Sequence, residues 1–399
     1  MSWVDVVVVL LALAAAISGW RHGLAVAALS FLGVIGGALL GLKIAPLIVG
    51  TFASDTSRVV VSVLIVIALV ALGETLGVYL GRAVRDRMRL GAVRTVDSTF
   101  GSVLQAITAL VVAWLIALPL ATSSNVALSS ALRNSAVLST VDSVMPTPLR
   151  ALPNELRAMF DASGFPDVLS PFASTPVADV PEPDSGLVRD PVVQRARASV
   201  LKIRGRAPSC SRALEGTGFV IGPERVMTNA HVVAGTSEVS VEVPRSSGGG
   251  ANTEAARVVY YDPEVDVAVL AVPGLEARAL EVNFSGSRTG DNAVALGYPL
   301  DGPFSSSPAK VRQRIQLRGP DIYDSQTVTR DVYTIRGTVK SGNSGGPLVN
   351  PQGEVIGVVF GAAVDQGDTG FVLTSDQVRS ALDAAEGATS RVSTGSCAS

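Results

Sequence analysis

The sequence predicts two unlike folds in one chain: an all-α bundle of four membrane-crossing helices, then a mostly β domain closed by one late helix. Three observations predict it. The first 120 residues hold four apolar runs of 18, 19, 22 and 21 residues. Each can cross about 30 Å of hydrocarbon at roughly 1.5 Å per residue. From residue 191 onward short apolar or alternating segments are separated by Gly, Pro, Asn and Asp, which indicates a sandwich or a pair of barrels. Between these regions, residues 121–190 are punctuated by proline and keep no long periodic run, as expected of a stalk or linker.

Composition excludes several classes. The 399 residues are 48% hydrophobic and 17% charged, which rules out an intrinsically disordered chain. A net charge of −2 provides no basic field for nucleic acid. Two cysteines, Cys210 and Cys397, permit one bridge but neither a disulfide scaffold nor a four-cysteine zinc site. The histidines are His22 and His231 alone, so any imidazole chemistry uses one of them.

The apolar runs are Trp3–Trp20, Leu24–Leu42, Val59–Leu80 and Phe100–Leu120. Trp3 and Trp20 bracket the first, where interfacial aromatics belong. That run lacks a basic leader and three further spans follow it, so it reads as a span rather than a cleaved signal peptide. Arg82, Arg85, Arg87, Arg89 and Arg94 lie between spans three and four, and Arg21 lies between spans one and two. By the positive-inside rule both loops are cytoplasmic, which places everything after Leu120 outside, where a disulfide persists. Gly33, Gly37 and Gly41 form a ladder in the second span, and Gly73, Gly77 and Gly81 another in the third. Small residues at this spacing let helix backbones approach closely. Glu74 within the third span is either a pathway group or a hydrogen-bonded carboxyl inside the bundle. With Val96–Asp97–Ser98–Thr99–Phe100–Gly101 after the basic loop, the four-span block resembles the colicin V production protein family, a likeness that assigns no chemistry.

In the linker, Asn154–Ala162 suits one short amphipathic helix. The outer domain shows β segments at Gly216–Gly222, Glu238–Val243, Ala255–Tyr261, Asp266–Val272, Asn292–Gly297, Thr327–Ile335 and Glu354–Gly361. A final helix is signalled by Thr374 as its cap, Gln377 at the capping-box position, and Val378, Leu382 and Ala385 along its inner face.

Three strings carry chemistry. Gly216–Thr217–Gly218–Phe219 leads into Thr228–Asn229–Ala230–His231; Asp266 opens an apolar strand 35 residues beyond His231; Ser344 follows after another 78, within Gly342–Asn343–Ser344–Gly345–Gly346–Pro347. A serine hydroxyl needs a base to take its proton, and imidazole needs a buried carboxylate to fix its tautomer. Glycine beside the serine lets the Gly342 and Ser344 backbone N–H groups point at a developing oxyanion. Asp262 competes with Asp266 for the carboxylate role, but it precedes proline in a typical turn setting.

These strings resemble the trypsin-like serine proteases, in particular their bacterial periplasmic HtrA-type branch, over about residues 199–382. The resemblance implies an all-β chymotrypsin-like double β-barrel with a C-terminal helix, with His231 as base, Asp266 as its orienting carboxylate, Ser344 as nucleophile, and Gly342 and Ser344 as the oxyanion hole. It implies a first specificity pocket with Thr338 at its floor and Val359, Phe360 and Gly361 as its wall. With no carboxylate at that floor, apolar side chains are favoured over Lys or Arg. Asn343 stands where trypsin-type zymogens carry an aspartate, so activation by a new N-terminus is not expected. No peptide-binding module is expected after residue 385. With its four spans the whole chain resembles actinobacterial membrane-anchored serine proteases tied to acid resistance. That implies a multi-pass inner-membrane protein with a periplasmic endopeptidase domain, acting on cell-envelope proteins or peptides and needing no metal or other cofactor. Domains are expected at 1–120, 121–190 and 191–399.

A Cys210–Cys397 bridge would close nearly the whole outer domain, worth about 5 kcal/mol by loop-closure entropy. The mechanism needs a neutral imidazole, so turnover should fall in acid. An acid role therefore requires residual activity, a buffered periplasm or regulation elsewhere. Glu74 leaves a rival reading open, a channel or carrier whose outer domain is regulatory or catalytically inactive.

Overall fold

The computed structural model describes residues 2–49, 55–85, 93–121, 126–145, 168–169, 175–208, 212–244, 251–363, 365–385 and 387–398. The chain divides into a helical unit and a β unit. The helix expected at Asn154–Ala162 lies outside the described residues.

Four long helices, α1 (Trp3–His22), α2 (Leu24–Val49), α3 (Asp55–Arg85) and α4 (Val93–Ala121), contain the four apolar runs. Each is long and apolar enough to cross a membrane, with mean hydropathy of 2.1 to 2.2 over the candidate spans. The chain is membrane-anchored by these helices. Leu10, Leu13, Leu32, Leu72, Leu76 and Phe100 stay exposed, as side chains facing lipid should. Ser2 and Asp5 form a reciprocal capping box at the start of α1, satisfying backbone donors the first turn leaves open.

The two glycine ladders face each other. A Cβ on Gly33 would stand 2.0 Å from the Gly73 carbonyl oxygen, and one on Gly73 would stand 2.1 Å from that of Gly33. Gly37 meets the Leu69 carbonyl and Gly77 the Leu29 carbonyl in the same way, both at 2.3 Å. Backbone-to-backbone contact of this kind is open only to glycine, so α2 and α3 pack as one antiparallel pair. Glu74 is half-buried, next to the Gly33–Gly73 contact.

Residues 126–144, within the stretch expected to be linker, form two short helices, α5 (Val126–Arg133) and α6 (Ala136–Val144). Leu132, Leu138 and Val141 pack on Val4, Val8, Trp114 and Leu118. Asp5 receives the Ser135 hydroxyl at 2.6 Å and the Val137 N–H at 3.1 Å, while Trp114 Nε1 donates to Asp142 at 3.0 Å. These helices are too short to stand alone and are stabilised by this docking.

The β unit is a pair of closed six-stranded antiparallel barrels, which resolves the choice between sandwich and barrels. The first is built from β1 (Val200–Ala207), β2 (Arg212–Gly222), β3 (Arg225–Thr228), β4 (Glu238–Pro244), β5 (Ala251–Asp262) and β6 (Val267–Ala271), in the order β1-β2-β3-β6-β5-β4. The second comprises β7 (Asn292–Gly297), β8 (Ser305–Pro320), β9 (Thr327–Gly337), β10 (Pro347–Val349), β11 (Val355–Ala362) and β12 (Thr369–Thr374), in the order β7-β10-β11-β12-β9-β8. Leu201, Ile203, Val220, Val241, Val258 and Leu270 fill the first barrel, and Val311, Tyr333, Ile335, Leu348, Val359 and Val372 the second. The 16-residue β8 is absent from the sequence reading because a register shift between Val311 and Gln313 breaks its alternation. The last helix runs Arg379–Ala385. Thr374 Oγ1 accepts the Gln377 N–H at 3.2 Å, but the Gln377 side chain accepts from Asp331 N–H at 2.7 Å instead of closing a capping box.

Candidate active site

β3 ends at Thr228, and the one-turn helix Ala230–Val233 then carries His231, 8% exposed, on the first barrel. The turn between β5 and β6 presents Asp266. In that turn Asp262 Oδ1 accepts the Glu264 and Val265 N–H groups, both at 3.0 Å, so Asp262 shapes the turn while Asp266 is turned inward. Asp266 sits at φ 70°, a left-handed value that aspartate tolerates better than most residues, and is 1% exposed. Its carboxylate meets His231 twice: Oδ2 lies 2.7 Å from Nδ1, and Oδ1 accepts the His231 backbone N–H at 3.0 Å. Two contacts from one carboxylate fix the ring's plane and leave Nε2 as the imidazole's working nitrogen.

Ser344, 1% exposed, follows β9 on the loop that leads into β10. Its Oγ and His231 Nε2 are both buried polar atoms with no hydrogen-bond partner among the described residues. Such groups cost about 1–3 kcal/mol each and point to function. The Ser344 carbonyl accepts from Thr217 N–H at 2.8 Å, and a Cβ on Gly216 would lie 3.2 Å from the Ser344 oxygen and 2.7 Å from Val232, the neighbour of His231. The two barrels thus bring Ser344 and His231 to one seam.

The four carbonyls from Ser341 to Ser344 are all anchored. Ser341 C=O accepts from Leu300 N–H at 2.7 Å, Gly342 C=O from the Thr217 hydroxyl at 2.6 Å, and Asn343 C=O from Gly346 N–H at 2.9 Å. In a trans peptide the N–H points opposite to the C=O. The Gly342 and Ser344 N–H groups are therefore aimed away from these anchors, and among the described residues neither donates a hydrogen bond within the protein. Gly342 has φ 89°, and a Cβ there would lie 2.4 Å from the Tyr298 carbonyl oxygen, so only glycine fits.

Of the expected pocket residues, Val359 and Phe360 are buried on β11, and Thr338 is exposed just past the end of β9. Gly361 is covered by the chain's own upstream segment. Val168 and Leu169 are 6% and 7% exposed; a Cβ on Gly361 would stand 2.3 Å from Val168 Cγ2, and one on Gly319 would stand 2.1 Å from the Val168 carbonyl oxygen. Further along, Asp365 accepts from Thr175 N–H at 2.9 Å, Arg312 donates to the Ala178 carbonyl at 2.8 Å, and Arg336 to the Val180 carbonyl at 2.7 Å. Residues 175–180, expected in the linker, belong to the β unit.

Four groups at the site escape sequence reasoning. Asn229 donates to the Asp266 carbonyl at 2.7 Å. Thr217 bonds both the Ser344 loop and Tyr298 N–H. Arg330, 3% exposed, ties the Asp266 turn to the second barrel through the Glu264 and Pro320 carbonyls, at 2.7 and 2.9 Å, and burial lowers its pKa. Asp301 pairs with Lys202 and Arg204. Thr217 and Asn229 lie inside the strings already singled out, which was the available signal; Arg330 and Asp301 had none nearby. Cys210 lies outside the described residues, and no described cysteine is free. Among the described residues no cluster of His, Cys, Asp and Glu is arranged to hold a metal.

Paired antiparallel barrels, with an imidazole–carboxylate pair on the first and a serine among anchored glycines on the second, define a trypsin-like peptidase. Sequence comparison agrees: residues 216–358 match the trypsin-like peptidase domain, and residues 4–146 match the colicin V production protein family. The chain belongs to the trypsin-like serine proteases. It is 48% identical over 399 residues to serine protease Rv3671c of Mycobacterium tuberculosis strain H37Rv, covering 100% of this chain and 99% of that one. The crystal structure of the Rv3671c protease in its active form superposes with a TM-score of 0.54 at 52% identity, covering 58% of this chain and 100% of that one. The bovine mitochondrial serine protease HTRA2 is 33% identical over 237 residues, 56% of this chain and 48% of that protein. The protein is accordingly a membrane-anchored serine protease.

Proposed function

We propose that the β unit is an extracytoplasmic endopeptidase working through a Ser344–His231–Asp266 triad. Ser344 Oγ attacks the scissile carbonyl carbon, His231 Nε2 takes its proton and later gives it to the leaving amine, and Asp266 holds the tautomer and stabilises the imidazolium. The Gly342 and Ser344 N–H groups stabilise the oxyanion, each contributing about 10²–10³ in rate. The observation that carries this reading is the two-point His231–Asp266 contact, at 2.7 and 3.0 Å, beside two orphaned polar atoms, Nε2 and Ser344 Oγ.

Arg21 and Arg82 favour cytoplasmic loops and hence a periplasmic β unit. The physiological substrates are proteins or peptides of the cell envelope, and envelope maintenance with acid tolerance follows from the resemblance. Thr338 as an uncharged pocket floor favours apolar side chains before the scissile bond. A Cys210–Cys397 bridge fits the path of the tail: the Gly235 N–H donates to Thr394 C=O at 3.0 Å, and Ser237 N–H donates to Arg206 C=O at 2.9 Å, four residues before Cys210.

A fluorophosphonate probe applied to membranes should label wild-type protein and not the Ser344→Ala variant. Envelope fragments seen by mass spectrometry in wild-type cells should vanish in Ser344→Ala cells at neutral and acidic pH. Unlabelled wild-type protein, or fragments that persist in the variant, would refute the triad. Reporter fusions after residue 145 that are active only in the cytosol would refute the orientation.

A further inference from the structure

Leu300 and Asp301 are consecutive non-glycine residues in the left-handed region, at φ 55° and 54°. Such backbone persists only where the surroundings over-determine it. Lys202 on β1 of the first barrel provides that determination. Its ammonium donates to the Asp301 carbonyl oxygen at 2.7 Å and to Asp301 Oδ1 at 2.6 Å, so one group grips both backbone and side chain of the corner. Arg204 Nη2 adds a contact to the same Oδ1 at 2.9 Å. Lys202 is 7% exposed, and among the described residues Asp301 is the only hydrogen-bonding partner of its ammonium; buried ammonium groups persist where they are paired.

What the corner touches gives the grip its meaning. Leu300 N–H holds the Ser341 carbonyl, the C=O of the very peptide whose N–H belongs to Gly342. The Gly342, Asn343 and Ser344 carbonyls are anchored by Thr217 and Gly346, both buried. The Ser341 carbonyl alone depends on an exposed corner, since Leu300 is 68% exposed. It adjoins a glycine, where a peptide can rotate at little steric cost. If the corner relaxes to negative φ, Leu300 N–H leaves Ser341, and nothing in that loop keeps the Gly342 N–H aimed at the cleft.

We propose that Lys202 and Asp301 are positioning residues for the oxyanion hole: the ion pair locks the Leu300–Asp301 corner, the corner holds the Ser341 carbonyl, and the Gly342 N–H is thereby pre-aimed at the substrate's carbonyl oxygen. The proposal rests on the triad reading above. It adds a link from a strand of the first barrel to the oxyanion donors of the second, so that the two barrels must be correctly joined before catalysis begins.

The test uses the full chain in detergent with an apolar peptide p-nitroanilide. In Lys202→Met and in Asp301→Ala, kcat should fall about 10²-fold, the loss expected for one oxyanion donor, with KM within twofold of wild type. Affinity for a peptide trifluoromethyl ketone, whose adduct carries an oxyanion, should fall by the same factor while that of the product peptide stays unchanged. Lys202→Arg, which keeps the charge, should recover most of kcat. Asp301, half-exposed, carries the test should Lys202→Met not fold. Wild-type kcat in a folded variant overturns the proposal, as does an equal loss of ketone and product binding, the mark of a merely structural role. Wild-type turnover in a parallel Ser344→Ala sample would instead overturn the triad reading, and the pair with it.

Discussion

Replacing Thr217 with valine tests the Ser344 loop at its most buried anchor. Thr217 is fully buried on β2, and its hydroxyl does two jobs: it accepts the Tyr298 N–H at 3.0 Å and donates to the Gly342 carbonyl at 2.6 Å. Valine keeps the shape of the side chain and removes the hydroxyl, leaving one N–H and one C=O without partners. At about 1–3 kcal/mol for each unsatisfied group, the change should cost about 4 kcal/mol. For a domain of this size that is a fall in Tm of roughly 8–16 °C. The same substitution releases the Gly342–Asn343 peptide, next in the chain to the Ser341–Gly342 peptide that carries the Gly342 N–H, so kcat should fall as well, by less than the roughly 10²–10³ of losing one oxyanion donor outright. Calorimetry and p-nitroanilide turnover on the detergent-solubilised chain read the two effects separately, and Thr217→Ser, which restores both hydrogen bonds, should return most of each. A Tm shift below about 2 °C together with intact kcat would refute the claim that this hydroxyl anchors the loop.

Asp266→Asn should leave the fold intact yet lower kcat by about 10⁴, because an amide no longer enforces the right tautomer; circular dichroism with single-turnover kinetics checks both halves. Gly73→Leu should separate α2 from α3, since a Cβ there already meets the Gly33 carbonyl at 2.1 Å; thermal unfolding in detergent should show the loss, and an unchanged transition counts against the interlock. Hydrogen bonding from Lys202 holds the Asp301 carboxyl below its ordinary value of 3.8. A depressed carboxyl contributes fully above the unfolded value and loses its contribution as pH falls through the folded one. The stability gap between wild type and Asp301→Asn should therefore narrow below about pH 4 in urea titrations, and a pH-independent gap contradicts that linkage. Val168→Asp should lower KM for peptide substrates several-fold by loosening the segment that covers Gly361; an unchanged KM shows that the segment does not compete with substrate.

Much of the candidate site was legible because trypsin-like chemistry is written in short strings: His231, Asp266 and Ser344 each stand in a distinctive local context. The choice of Asp266 over Asp262 was legible from a neighbouring proline, and in the structure Asp262 caps the turn that Asp266 ends. The Lys202–Asp301 pair, the buried Arg330 and the cover over Gly361 were not legible. Their partners lie 99 residues apart for the first, 66 for the Arg330–Glu264 contact, and between an upstream segment and two distant strands for the third. No local pattern marks a left-handed leucine or a buried ammonium.

By itself the sequence determined the four apolar spans, the two glycine ladders and the three candidate catalytic side chains, because membrane length, helical spacing and nucleophilic chemistry each restrict residue type within a short window. Only the tertiary structure decided that the β segments close into two barrels, that α5 and α6 dock on Asp5 and Trp114, and that the carbonyls from Ser341 to Ser344 each have an anchor. The reason is physical: a backbone amide is the same at every position, and where it points depends on which distant group holds the carbonyl on its other side.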